Sequence, residues 1–223
     1  TAKILSELKS QWQGTLILMG QPSEETGDGA RALLKDNLYT RFPQPDFAIA
    51  LHDKADLETG KIGYTPDYAM ASATSIDIKI RGVGGHGSAP ETTKDPIVVA
   101  AQVVNALQTI VSRENSPLEP AVVTVGSIHG GTRYNIIPDE VDLQLTVRTY
   151  KEDVRKRILA SIERIVKGAA MTAGIPEDRA PIIKVSEGTT STYNDPKLLD
   201  RLTPALQRAL GEENVVKMPP MMA

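Results

Sequence analysis

The sequence predicts an α/β fold: a partial domain with a mostly parallel sheet, interrupted by a ferredoxin-like α+β (βαββαβ) insertion. Three observations predict it. Two short, nearly all-apolar runs, TLILMG and DFAIALHD, each end in polar residues, as strands buried on both faces do. From Ser75 the pattern changes to strict alternation in SIDIKIRGV, as in a half-buried strand. After it the order strand, helix, strand, strand, helix, strand is completed, the split βαβ arrangement.

The opening TAKILSELKSQWQG reads as a helix with Ile4, Leu5, Leu8 and Trp12 on one face. No capping residue precedes it and no closing element follows KMPPMMA, so the sequence is expected to be a piece of a longer protein. TLILMG is read as a buried strand, and DGARALLKDNL has helical spacing through Ala30, Leu33 and Leu34. DFAIALHD, behind the breaker FPQP, is read as a second buried strand. The inserted domain is assigned to residues 71–187, between a first part at 1–70 and a second part at 188–223. Within it, DPIVVAAQVVNALQTIVSRE is an amphipathic helix with Asp95 as N-cap and Pro96 at the first helical position. AVVTVGSIHGG and DEVDLQLTVRTY are strands, and EDVRKRILASIERIVKGAAMTAG is a helix with Val154, Ile158, Ile162 and Ile165 on one face. PIIKVSEG is the fourth strand. NDPKLLDRLTPALQRALG then starts a helix at Asn194 or Asp195, followed by the strand NVVKM.

The totals exclude several functions. Twenty-five Lys and Arg against 28 Asp and Glu give a net charge of −3, which offers no broad basic face to nucleic acid. The apolar runs are too short to cross a bilayer. The absence of Cys rules out disulfides and thiolate metal sites, and leaves a cytoplasmic and a periplasmic location equally open.

Chemistry-bearing residues fall in three places. Glu24 and Glu25 sit where a strand turns into a helix, and His52 ends the second apolar run, so two strand ends deliver them to one edge of the sheet. Adjacent carboxylates repel one another. They are either solvated acids at a helix start, or a metal ligand beside a base that takes a proton from water. In RGVGGHGSAP, Gly82, Gly84 and Gly87 satisfy a dinucleotide-binding pattern, but Ser88-Ala89-Pro90 opens no helix, so that reading is rejected. The glycines instead free the backbone to project His86. In GSIHGGTRYNIIP, His129, Gly130 and Gly131 are either a bulge and turn or functional, and Asn135 is either a left-handed loop residue or a donor to an oxyanion. Arg148 is either a surface charge or a bidentate carboxylate clamp.

Taken together, QPSEETGDGA, ALHD, RGVGGHGSAP, DP followed by a long helix, SRE, GSIHGGTRYNIIPDEV and LTVRTY resemble the M20 metallopeptidase family, in its amidohydrolase branch of N-acyl-amino-acid and hippurate-type hydrolases. The resemblance implies a catalytic α/β domain with two divalent metals (zinc, manganese or similar), interrupted by a ferredoxin-like lid that also makes a homodimer. It implies hydrolysis of an amide bond in N-acyl amino acids, peptides or related small amides. Glu24 then resembles the general base, and Glu25 and His52 resemble metal ligands. His86 resembles the lid histidine that reaches the neighbouring subunit's site, while Asn135 and Arg148 match lid positions for substrate or oxyanion contact. The family's first ligands lie in a His- or Cys-containing motif ahead of the Glu pair, and none stands between Thr1 and Glu24. A further His of the family follows a stretch like PPMMA, where this sequence stops. This chain alone is therefore expected to bind metal poorly or not at all. The alternatives are an inactive dimerisation module and a dipeptidase or carboxypeptidase relative.

Overall fold

The computed structural model describes residues 2–24, 27–186 and 188–222. They form two compact units, Thr1–Ala55 and Asp56–Ala223.

The first unit is helical where it is regular. α1 (Ala2–Glu7) runs into a tight turn at Lys9–Gln11, closed by Trp12, whose indole Nε1 donates to Leu5 O at 2.9 Å. α2 (Asp28–Lys35) starts with an acidic residue, favoured by the helix dipole, and ends in Lys35; α3 (Leu38–Arg41) follows. Neither expected strand forms. Residues 15–20 and 46–53 have no ladder partner among the described residues, and their apolar side chains are open to solvent, Leu18 57%, Ile49 63% and Leu51 84% exposed. The physical reason is that a strand is a property of a pair: an apolar run supplies side chains for two covering layers but not the neighbour that accepts its backbone hydrogen bonds. The mixture of helix and strand is that of the expected α/β class. Among the described residues parallel pairing is found in the second unit, in the three residue pairs of Ile62–Tyr64 with Val215–Lys217 and in an isolated bridge of Met70 with Met221.

The second unit carries the rest. β1 (Ile62–Tyr64) and β2 (Asp67–Met70) lead into the long β3 (Ser72–Arg81), the two-residue β4 (Gly85–His86) and α4 (Pro96–Thr109). Next come β5 (Ala121–Gly130), β6 (Ile136–Ile137), β7 (Glu140–Thr149) and α5 (Glu152–Thr172). β8 (Ile182–Val185), β9 (Thr192–Asn194), α6 (Pro196–Leu210) and β10 (Val215–Lys217) complete it. The βαββαβ order holds, and its strands form an antiparallel sheet in the order β5-β7-β3-β8. β1 pairs with β10, β2 with β9 and β4 with β6.

Alternation decides which face is covered. Ile76, Ile78 and Ile80 stand opposite Leu145, Leu143 and Val141 on one face, all 4% exposed or less, beneath Val99, Val103 and Leu107 of α4 and Val154, Ile158, Ile162 and Val166 of α5. Val166, rather than the half-buried Ile165, continues the stripe on α5, which Ala170 closes, because residues four apart are neighbours on one side of the helix. The other face is polar: Ser127 donates to Gln144 at 3.0 Å, Gln144 to Asp77 at 3.1 Å, and Lys79 pairs with Glu140 at 2.6 Å.

The helix ends follow the expected chemistry. Asp95 accepts from Ile97 N at 2.8 Å with Pro96 behind it, Asp195 accepts from Leu198 N at 2.9 Å with Pro196 behind it, and α5 stops before Gly174 at φ +68°. Beyond α4 the chain widens into a π-helical turn, Ile110–Glu114, from which Glu114 reaches Ser161 at 2.7 Å and Arg164 at 2.6 Å on α5. Among the described residues no helix is long and apolar enough to cross a membrane.

Removing side-chain volume beneath the sheet should cost far more than removing it outside. Leu107→Ala, at a fully buried position, is expected to lose about 3 kcal/mol by equilibrium denaturation, and Met171→Ala, 77% exposed, less than about 0.5 kcal/mol.

Candidate functional site

In the first unit Glu24 lies in the turn before α2, exposed, with its carbonyl accepting from Gly27 N at 2.9 Å. Glu25 lies outside the described residues. His52 is exposed in an irregular segment, and its Nδ1 stands 2.6 Å from Asp53 O and 3.5 Å from Asp53 Oδ1. A carbonyl oxygen only accepts, so the contact makes Nδ1 the donor and puts the lone pair of the neutral ring on Nε2. That is the tautomer a metal-ligating histidine uses, with its other nitrogen held by a carbonyl or carboxylate.

In the second unit the glycine-rich stretch is a clip. After β3 the backbone narrows at Gly82, pairs Val83 with Lys94, and returns as β4 against β6, with Gly85 opposite Ile137 and His86 opposite Ile136. Gly87 N donates to Asn135 O at 2.8 Å. Two glycines are dictated by close approach. A Cβ on Gly84 would meet Ile137 O at 2.8 Å, and one on Gly87 would meet Asn135 O at 3.0 Å. His86 thus ends β4 and Asn135 is the turn residue that leads into β6, on the two sides of one two-stranded clip, both exposed.

His86 has the opposite tautomer to His52. Ser88 N donates to its Nδ1 at 3.2 Å and the Ser88 hydroxyl lies 2.7 Å from the same atom, so the neutral ring carries its hydrogen on Nε2. One histidine is arranged to give a lone pair at Nε2 and the other to give a hydrogen bond from it.

Arg148 is not brought to the clip. It lies near the end of β7, opposite Ala73 and Val122, whereas β7 begins at Glu140 beside Arg81 and the clip. Eight strand residues separate the two ends, about 26 Å. His129 is not at a bulge either: the bulge in β5 lies between Val125 and Ser127, and His129 stands opposite Asp142. Asn135 does not take positive φ; in its loop Gly131 does, at +79°.

Some residues that shape the site went unread in the sequence. Asp139 accepts from Gly84 N at 3.1 Å and from Arg179 at 3.2 Å, and these two contacts, the amide first, hold its carboxyl below the usual range. The Pro-Asp step of NIIPDEV marks Asp139 as a turn residue, but nothing in the pattern around Arg179 connects it to Gly82, 97 residues away.

Among the described residues no three His, Cys, Asp or Glu stand together as a possible metal cluster. Glu24 and His52 have the right donor chemistry for a divalent ion, but two donors fall short of the three or so protein ligands of a catalytic zinc-type site.

Comparison with known proteins adds a second line. The profile of the M20 peptidase dimerisation domain matches residues 68–172. An N-acetylcysteine deacetylase of Bacillus subtilis is 33% identical over 215 residues, covering 96% of this chain and 54% of the relative. A hippurate hydrolase of Campylobacter jejuni is 35% identical over 205 residues, 91% of this chain and 52% of the relative. The chain spans about half the length of these curated relatives. A crystal structure from methicillin-resistant Staphylococcus aureus superposes with a TM-score of 0.86 at 30% identity, over 99% of this chain and 55% of that one. A dinuclear metal binding peptidase of the M20 family from Bacillus subtilis gives 0.72 at 26% identity, over 99% and 54%.

The Asp139 contact predicts a pH signature. Because the folded pKa lies below the ordinary value of 3.8, the bond to Gly84 is at full strength above that value and is lost as pH falls through the lowered one. In an NMR titration the Gly84 amide proton should shift with a midpoint below 3.8, and the same shift should be absent in Asp139→Asn.

Proposed function

We propose that the chain is part of an M20 family peptidase, whose dimerisation domain matches residues 68–172, and that the whole protein hydrolyses the amide bond of N-acyl amino acids, with residues 71–187 serving as lid and dimerisation domain. The observation that carries the reading is the pair of opposed histidine tautomers: His52 offers a lone pair at Nε2, as a metal ligand must, and His86 offers a proton at Nε2, as a group that polarises a carbonyl must. The names of the relatives support the acyl-amino-acid branch over a dipeptidase.

Glu25 and His52 are assigned to hold a divalent ion, which when bound supplies Lewis acidity to water and carbonyl. The other steps belong to side chains. Glu24 takes the proton of the attacking water and passes it to the leaving amine as the C–N bond breaks, giving a carboxylic acid and a free amino acid. His86 donates from Nε2 to the carbonyl oxygen as negative charge develops, with the Asn135 amide as a second donor from the turn before β6. Arg148 receives the substrate carboxylate in a bidentate pair.

The separation of Arg148 from the clip gives the dimer its purpose. β5 is an edge strand, and from Ala121 to Gly130 it contains no charged residue and no proline. Such residues normally protect an edge from pairing. Beside it runs an apolar stripe of α4, Ile97, Ala101 and Val104, next to Val125 and Ile128. Antiparallel pairing of β5 with β5 of a second copy extends the sheet to eight strands. Its two-fold axis sets the clip of one copy at the same end as Arg148 of the other, which neither copy achieves alone. His86 and Asn135 therefore serve the neighbouring copy's substrate.

A dimerisation module without activity is the second reading. It is favoured by the hydrophobic core cluster, which runs from Ile76 to Val166 and lies wholly inside the second unit.

Two measurements test these readings. In the protein expressed from its complete reading frame, Glu24→Gln is expected to lower turnover of N-acetyl amino acids by about 10³-fold with metal content unchanged; unaltered turnover refutes the proton role. Ile128→Arg is expected to convert the dimer to monomer in sedimentation velocity while Met171→Arg leaves it intact, and a persisting Ile128→Arg dimer removes the β5 interface.

A further inference from the structure

We propose that Arg179 is a positioning residue for His86, acting through Asp139 and the neck of the glycine clip. The inference rests on the donor role given to His86 above.

The clip leaves the sheet through a neck made by Gly82 on the outgoing strand and Asp139 on the returning one, joined by Gly82 N donating to Asp139 O at 2.7 Å. The Val83–Lys94 pair and the β4–β6 ladder hold the clip beyond the neck, but a glycine-rich segment has the largest backbone entropy to lose, and between Gly82 and Asp139 this backbone bond is the direct tie. Arg179 comes from a separate element, the short turn Glu177–Arg179 after α5, and bridges both sides of the neck. Its Nη1 donates to Gly82 O on one strand and to Asp139 Oδ1, at 3.2 Å, on the other. The same Oδ1 accepts from Gly84 N at 3.1 Å, carrying the bridge two residues further toward His86. The turn that carries Arg179 is bolted down in return, because Arg81 donates from Nε and Nη2 to Ala180 O at 3.1 and 2.7 Å. These bonds tie three chain segments to one another, the exit of β3, the entry of β7 and the turn after α5, and together they close on the neck.

Global stability does not explain the arrangement. The side chains of Arg179 and Asp139 are 40% and 73% exposed, and exposed ion pairs contribute little to unfolding free energy. What an exposed pair can do well is choose one geometry for a short loop whose backbone has many. A clip fixed in this way presents Nε2 of His86 at one place without ordering cost at the moment of reaction.

Arg179→Met keeps the length of the side chain and removes its donors. In the 223-residue chain, amide exchange at Gly84 and Gly87 should quicken about tenfold or more in this variant, with the thermal midpoint within about 2 °C of the parent. In the protein from the complete reading frame, kcat should fall about tenfold with KM unchanged, and Arg179→Lys, which can still reach one acceptor, should recover part of it. Arg157→Met, at an exposed pair on α5, should alter neither. Unchanged exchange at Gly84 and Gly87 overturns the clamp. Faster exchange with unchanged kcat, where His86→Ala abolishes turnover, overturns the positioning role. If His86→Ala itself leaves turnover unchanged, the donor reading of His86 has failed, and the exchange data still decide whether Arg179 holds the neck.

Discussion

The ten-residue antiparallel ladder between β3 and β7, from Ser72 opposite Thr149 to Arg81 opposite Glu140, sets the rest of the second unit. Its register fixes which side chains meet the helices, since a slip of one residue would turn Ile76, Ile78 and Ile80 to solvent and bring Asp77 and Lys79 under α4. It also fixes what lies at each end. At one end the chain must leave β3 and enter β7 across a single pair, which creates the neck at Gly82 and Asp139. At the other end the buried Ser72 hydroxyl donates to Thr149 O at 2.8 Å and lies 3.1 Å from the Thr149 hydroxyl, so the ladder closes with its buried polar atoms satisfied. Rigidity between the ends makes the distance from His86 to Arg148 a constant of the fold.

The sequence-level reading succeeded where a pattern is completed by the chain that carries it. Alternation in SIDIKIRGV, the Asp-Pro start at Asp95, the start at Asn194 or Asp195, and the Val154, Ile158 and Ile162 steps of α5 each report a local balance of burial and hydrogen bonding, and each recurs in the structure. It failed at TLILMG and DFAIALHD, where the signal was correct about composition and silent about partners. Apolar side chains promise two covering layers, and only a neighbouring strand turns them into a ladder.

The candidate site was legible by residue type and illegible by arrangement. Gly82, Gly84 and Gly87 announced an unusual backbone, and rejecting a nucleotide-binding loop was right for a physical reason: only a single 3-10 turn, Pro90–Thr92, follows Ser88-Ala89 in place of an α-helix, and the glycines instead allow strands to touch. The tautomers of His52 and His86 could not be read, because each is set by one neighbouring backbone group whose direction depends on the fold. The reach of Arg179 to Gly82 is harder still, since it joins segments 97 residues apart with no periodicity to betray it.

Two unusual features of residues 71–187, an edge strand without charged residues and a clip far from Arg148, have a common explanation in the proposed dimer. An unprotected edge is a liability for a monomer, since it invites any extended chain to add to the sheet. Self-pairing removes the liability and, by its two-fold geometry, cancels the 26 Å or so that one ladder imposes between the clip and the arginine. The bulge between Val125 and Ser127 fits this account. It reverses the facing of the strand beyond it, so that Ile128 stands opposite Leu143 on the helix side and joins the α4 stripe, while His129 turns to the polar face beside Asp142. Without that extra residue the alternation would carry Ile128 to the polar face and break the apolar surface that the proposed second copy would cover.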